Sequence, residues 1–332
     1  MNGTGRVMWA AGVVAAGLIA GGCDGPSGGP GEGGDVRIVA SIGPLADAAR
    51  QIGGEDVTVT ALLLPGQTPH GFEPRPRQVE QMAEADLLLT VGLGMDPWAD
   101  RAAASAGRTD LAVFRFADVV RAEAIKVTPH GHDDGDDHEG AESDAHDHEH
   151  EHAHAHDAGD PHLWLDPVLM KAYAAVLSEK LAALDPDHAD GYRTRGAAFA
   201  ADLDALNADY ARVLGSARLK AFVSFHSAFT YTAARYGLTQ EAVFEADRAG
   251  VGPRHLEHVI EFMKEHGVKV VFAEPQFPID RLRPILDQVP GATVRQLDPL
   301  GDPNVPGRDT YLNLMRHNLA VFADALGCTD AP

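Results

Sequence analysis

Residues 185–214 read DPDHADGYRTRGAAFAADLDALNADYARVL. Asp185-Pro186 is a helix-entry signal, because proline suits the first turn of a helix and not its interior. Beyond it turn residues are few, and the chain stays helical to about Leu214. At 1.5 Å per residue such a helix is roughly 40 Å long, enough to run along a whole small domain as a rigid connector. What it connects is alike on its two sides. Upstream, 35–44 (DVRIVASIGP), 57–66 (VTVTALLLPG) and 86–94 (DLLLTVGLG) read as strands, and 44–54 (PLADAARQIGG) and 75–85 (RPRQVEQMAEA) as helices. Downstream, 220–225 (KAFVSF), 268–273 (VKVVFA) and 292–297 (ATVRQL) are strands. They alternate with helices at 227–237, 253–267, 278–289 and 310–327. Short apolar runs alternating with helical periods imply open parallel sheets. The expected fold class is therefore α/β: two parallel-sheet lobes bridged by one long rigid helix.

The 332 residues are 45% hydrophobic and carry 27 Lys and Arg against 49 Asp and Glu, a formal charge of −22. That balance repels nucleic acid and anionic membrane surfaces and favours cationic partners. The acid is concentrated: between Gly131 and Asp160 there are twelve acidic residues and no Lys or Arg. Residues 130–160 have no apolar periodicity and read as a disordered surface loop. The chain begins MNGTGRVMWAAGVVAAGLIAGGCDG, with Arg6 ahead of an apolar run too short to span a bilayer comfortably. Residues 1–23 thus read as an export signal ending at a lipidated Cys23, and 24–34 (DGPSGGPGEGG) as a flexible linker. The N-terminal lobe is expected at 35–184, the connecting helix at 185–214 and the C-terminal lobe at 215–332. Cys328 is the other cysteine, so lipidation of Cys23 leaves no internal disulfide.

Four residues share one structural context. His70 follows the strand ending at Leu64, His162 opens the ordered chain after the acidic loop, and His226 and Asp298 end strands. In open α/β sheets ligands bind beyond the C-terminal strand ends. Two facing lobes would bring these groups together as three nitrogens and one oxygen, a donor set that suits Zn²⁺ better than Mn²⁺. Glu274, also at a strand end, could orient a ligand histidine or act as an alternative oxygen donor. Separations of 92, 64 and 72 residues match no local metal motif, so spacing alone leaves the site open.

The segments PGQTPHGFEPRP (65–76), DPHLWLDP (160–167), FVSFHSAFTYTAARYGL (222–238), FAEPQFP (272–278) and LDPLG (297–301), in this order, resemble the bacterial zinc/manganese ABC-transporter solute-binding family. The resemblance implies the metal-type solute-binding fold and metal ligands at His70, His162, His226 and Asp298. Histidine at the third of these positions resembles the zinc-binding members, where manganese-binding members typically have Glu. It further implies an extracytoplasmic, monomeric protein without catalytic activity that captures Zn²⁺ and delivers it to a permease powered by a separate ATPase subunit. One departure stands out: the His70 segment reads Thr68-Pro69-His70-Gly71-Phe72, where the family usually has Asp-Pro-His before a hydroxyl residue and an aromatic.

The acidic loop carries nine histidines: His130, His132, His138, His146, His148, His150, His152, His154 and His156. Imidazole is neutral and free to bind metal near pH 7, and zinc-specific members often carry such a loop, so low-affinity capture of several ions is expected. His188, His255, His258, His266 and His317 read as surface or cap residues. Three alternatives stay open at this point: a manganese-binding member of the same family, a zinc-storing or adhesive surface lipoprotein, and a metallohydrolase with Glu274 as base. No HExxH helix, serine nucleophile elbow or phosphate loop supports the last.

Overall fold

The computed structural model describes Met1 and residues 35–105, 108, 111–120, 159–244 and 252–332. The export signal with Cys23, the 24–34 linker and the histidines from His130 to His156 lie outside the described residues. From Asp35 to Pro332 the chain forms one compact unit. In its first half run β1 (Val36–Ala40), α1 (Gly43–Gly53), β2 (Val57–Ala61), α2 (Pro76–Ala83), β3 (Leu87–Thr90), α3 (Trp98–Ser105), β4 (Ala112–Arg115) and α4 (Phe116–Val120). Two long helices follow, α5 (Pro167–Leu184) and α6 (Ala189–Gly215). The second half holds β5 (Ala221–His226), α7 (Thr230–Tyr236), β6 (Thr239–Phe244), α8 (Pro253–Glu265), β7 (Val270–Ala273), α9 (Arg283–Leu286), β8 (Thr293–Gln296) and α10 (Tyr311–Leu326).

Both sheets are four-stranded and parallel, in the orders β2-β1-β3-β4 and β6-β5-β7-β8. The same order twice makes the lobes topological repeats. In each, the winding reverses between the first and third strand, which opens a crevice at the carboxyl strand ends. Every residue of β3 and of β5 is buried, as expected where helices cover both faces of a parallel sheet. Among the described residues no helix is long and apolar enough to cross a membrane.

Four elements fall where the sequence pattern announces none: α3, β4, α4 and β6. The two strands are sheet edges, and their half-buried residues, such as Ala-Val-Phe-Arg in β4, lack the apolar run that marks a central strand. Residues 278–289, expected as one helix, form a 3-10 turn (Ile279–Leu282) leading into the single-turn α9, with Pro284 near its start. Proline is tolerated there but could not lie inside a continuous helix.

The helix α6 is more than a strut. Its buried residues Tyr192, Gly196, Phe199, Leu203, Leu206, Tyr210 and Val213 recur at alternating steps of four and three, a stripe along one face. That stripe joins β1, α1, α5 and α10 in one apolar core that reaches into both halves. Gly196 lets α5 approach: a Cβ there would meet Ser178 Oγ at 2.7 Å.

Bonds across the lobes converge on residues 160–166. Tyr231 Oη donates to the Asp160 carbonyl (2.8 Å), Thr232 Oγ1 to the Leu165 carbonyl (2.7 Å) and Tyr311 Oη to the Trp164 carbonyl (2.7 Å). Trp164 Nε1 donates to the Pro299 carbonyl (2.6 Å). Arg235 Nε lies 2.6 Å from both oxygens of Asp166, whose Oδ1 also caps α5 by accepting from Val168 N (2.8 Å). This segment of the first half is thereby fastened to the second.

Candidate metal centre

His226 is the last residue of β5, at the reversal point of the second sheet. Its carbonyl accepts from Ser224 Oγ (2.7 Å) and Gln240 Nε2 (3.2 Å), which fixes the strand end. His162 stands just before a 3-10 turn (Leu163–Leu165), in the segment held by the inter-lobe bonds. Asp160 Oδ1 accepts from both its backbone N–H and its Nδ1, each at 2.8 Å. His70 comes from the loop between β2 and α2, where its backbone N–H reaches Thr68 Oγ1 at 3.3 Å. The following Gly71 has φ +73°, a left-handed conformation that costs glycine little. It turns the chain so that Phe72 meets the Trp98 ring edge-on at 5.6 Å.

The three imidazoles converge. His162 Nε2 lies 3.3 Å from His70 Nε2 and 3.2 Å from His226 Nε2, and one ligand atom from each ring falls within 4.8 Å of the others. Asp160 and Glu274 explain the orientation of two of the rings. Glu274 Oε1 meets Nδ1 of His226, as Asp160 Oδ1 meets Nδ1 of His162. Carboxylates accept, so Nδ1 carries the proton in each ring, and in its neutral form each ring turns a bare Nε2 lone pair toward the other. Burial alone would push the Asp160 carboxyl up, yet the hydrogen bonds it accepts from His162, with any positive charge that ring takes on, hold it below the usual carboxylate range. Two lone pairs 3.2 Å apart repel unless a cation lies between them. Tetrahedral zinc, with Zn–N distances of about 2.0–2.1 Å, sets adjacent nitrogens about 3.3–3.4 Å apart. His70 is kept neutral as well: burial lowers its pKa from 6.5 to about 3, and any positive charge on His162 or His226 would act in the same direction.

The sequence of residues 38–325 matches the model of the family described as "Zinc-uptake complex component A periplasmic". The chain belongs to that family. Among relatives of this zinc-uptake component, the high-affinity zinc uptake system protein ZnuA of Paracoccus denitrificans is 32% identical over 302 residues, covering 88% of this chain and 92% of its own. Zinc-binding protein AdcA of Streptococcus pyogenes is 26% identical, and there the alignment spans only 55% of the relative's length. A crystal structure of a ZnuA deletion mutant with zinc bound superposes with a TM-score of 0.72 at 27% identity, over 90% of this chain and all of that one.

Within this family member, the remaining expected site residues lie apart from the imidazole cluster or behind it. Among the described residues, Asp298 is not in the group of converging ligand atoms. Its Oδ1 accepts from Leu300 N (3.0 Å) and Gly301 N (2.9 Å), its Oδ2 from Arg308 Nη1 (2.9 Å), and Asn318 pins its backbone N–H and carbonyl. In this geometry Asp298 shapes the 297–301 turn, whose Pro299 carbonyl receives Trp164. Glu274 stands behind His226 as its Nδ1 partner. Asp160, Arg308 and Gln276 escaped the reading of the sequence. For Asp160 the signal was present in the spacing of Asp-Pro-His, which lets a carboxylate reach back to the imidazole two residues on.

Proposed function

We propose that this chain captures one Zn²⁺ between the Nε2 atoms of His70, His162 and His226 and presents it to a membrane permease driven by a separate ATPase. The observation that carries this reading is the convergence of the three Nε2 atoms, 3.2–3.3 Å apart around His162, with a carboxylate on Nδ1 of His162 and of His226. Three nitrogen donors favour zinc over manganese, and the names of the relatives agree. Asp298 serves as a structural anchor in this reading, because Arg308 and two backbone N–H groups already engage its oxygens. Glu274 is likewise occupied with His226, which speaks against a hydrolytic base and for a carrier without a catalytic step. The protein works outside the cytoplasmic membrane, tethered as a monomer through a lipid on Cys23, and the histidines from His130 to His156 gather further zinc at lower affinity. The bonds across residues 160–166 support release by small tilts and motion of the His70 loop over wide hinge opening. Competition with a zinc chelator tests the site: wild type binds one ion tightly and His226→Ala does not. Equal affinity in the two proteins would refute it.

A further inference from the structure

Three imidazoles leave one vertex of a zinc tetrahedron unfilled. Beside the rings lies a small cavity of about 10 Å³, room for about one water next to an ion held between the Nε2 atoms. Gln276 is on its wall, beside His70, His162 and His226. The turn Glu274-Pro275-Gln276-Phe277, closed by Phe277 N–H to the Glu274 carbonyl at 3.1 Å, puts Glu274 on His226 and Gln276 two residues further along the same wall. The amide oxygen of Gln276 is closed off from solvent and meets no hydrogen-bond donor. Donors nearby are committed elsewhere: Trp164 Nε1 to the Pro299 carbonyl, and the Nδ1 protons of His162 and His226 to Asp160 and Glu274. A buried acceptor without a donor is costly, and Gln276 lines the small cavity where a metal-bound water would bring a donor in.

We infer that Gln276 governs the fourth coordination position of the captured zinc: its Oε1 accepts a hydrogen bond from the water that completes the tetrahedron. This rests on the three-histidine reading and deepens it. A neutral amide oxygen is a weaker zinc donor than imidazole or carboxylate, so the water, not Gln276, is bound to the metal. A water-mediated contact holds the ion with little loss of enthalpy, while the vertex stays exchangeable. That suits a cargo ion which must be handed on. The carboxylates that could have closed the vertex, Asp298 and Glu274, are engaged with Arg308 and His226.

The test uses the full-length metal-free protein and its variants Gln276→Leu, Gln276→Glu and His162→Ala. Zinc affinity is read by chelator competition, coordination by the visible spectrum with one equivalent of Co²⁺, and folding by thermal melting without metal. Q276L is expected to bind zinc about tenfold more weakly, to shift the Co²⁺ bands and to melt no lower than wild type. Q276E, with an oxygen that can reach the metal itself, is expected to bind at least as tightly as wild type and to release zinc to chelator more slowly. Wild-type affinity and an unchanged Co²⁺ spectrum in Q276L, alongside lost binding in H162A, would overturn the role of Gln276 and leave the histidine site standing. So would weakened binding in Q276L matched by a lower melting temperature with the Co²⁺ spectrum unmoved, since that is a structural effect. Retained tight binding in H162A would instead refute the site itself.

Discussion

Replacing Arg235 by Met should cost this protein about 3–5 kcal/mol at pH 7, the usual range for removing one partner of a buried ion pair. Asp166 is fully buried and the Arg235 side chain mostly so. Without the guanidinium the carboxylate keeps only Val168 N at 2.8 Å and Leu169 N at 3.4 Å. Burial already pushes the Asp166 carboxyl above its ordinary 3.8, with the hydrogen bond and charge of Arg235 opposing. The folded pKa is therefore above the unfolded one. Any stability from this group is fully present below pH 3.8 and is lost as pH rises through the folded value. R235M removes the main opposing influence and raises that value further. Its deficit should then shrink on acidification, by about 1.4 kcal/mol per pH unit where Asp166 is protonated in the R235M fold and still ionised in the wild-type fold. R235M/D166N should recover most of the loss, because Asn caps a helix about as well as Asp and leaves no charge behind. Urea unfolding of the metal-free proteins at pH 7 and pH 5, followed by circular dichroism, measures all of this. A loss under about 1 kcal/mol at pH 7, or a deficit equal at both pH values, would refute the account of this pair as the fastening between the lobes.

Asp160→Asn and Glu274→Gln should each weaken zinc binding by about 10–100-fold with the helical signal unchanged, since these carboxylates set the tautomer and basicity of His162 and His226; chelator competition measures it. For His70 the folded pKa of about 3 lies below the ordinary 6.5, so below pH 6.5 the unfolded chain takes up a proton that the fold refuses. Metal-free stability should consequently fall by about 1.4 kcal/mol per pH unit from pH 6.5 toward 3 on this group's account, and urea titrations of His70→Gln should lack that slope. Gly196→Ala should destabilise by about 1–3 kcal/mol through overpacking against Ser178 Oγ, 2.7 Å from the new Cβ, seen as a lower melting temperature with zinc affinity intact.

Much of this architecture is legible in the chain because central parallel strands are apolar on both faces and stand out as short uninterrupted runs, as Leu87–Thr90 and Ala221–His226 do. The edge strands Ala112–Arg115 and Thr239–Phe244 are half-buried mixtures, and their pairing depends on neighbours that no local pattern reveals. The long helix could be read from 185–214, and it starts at Ala189 after a 3-10 turn at Pro186–His188. Its four-three stripe was there to be counted, yet only the packed partners α5 and α10 show that it is core as much as connector. At the site, the three histidines are recognisable from the sequence motifs that carry them. The position of Asp298 is not, because its engagement depends on Arg308, ten residues on, and on Asn318 in α10. Gln276 is silent in sequence, since an amide between Pro275 and Phe277 means nothing until its oxygen is seen to lack a donor.

On the proposed function, three imidazoles meet one cation through Nε2. Anomalous diffraction at the zinc edge, from crystals of the metal-free protein soaked in one equivalent of Zn²⁺, tests it directly. A single strong peak about 2.0–2.1 Å from Nε2 of His70, His162 and His226 is the predicted result. A peak bound through Nδ1, or coordinated by Asp298 in place of one of the imidazoles, would contradict it.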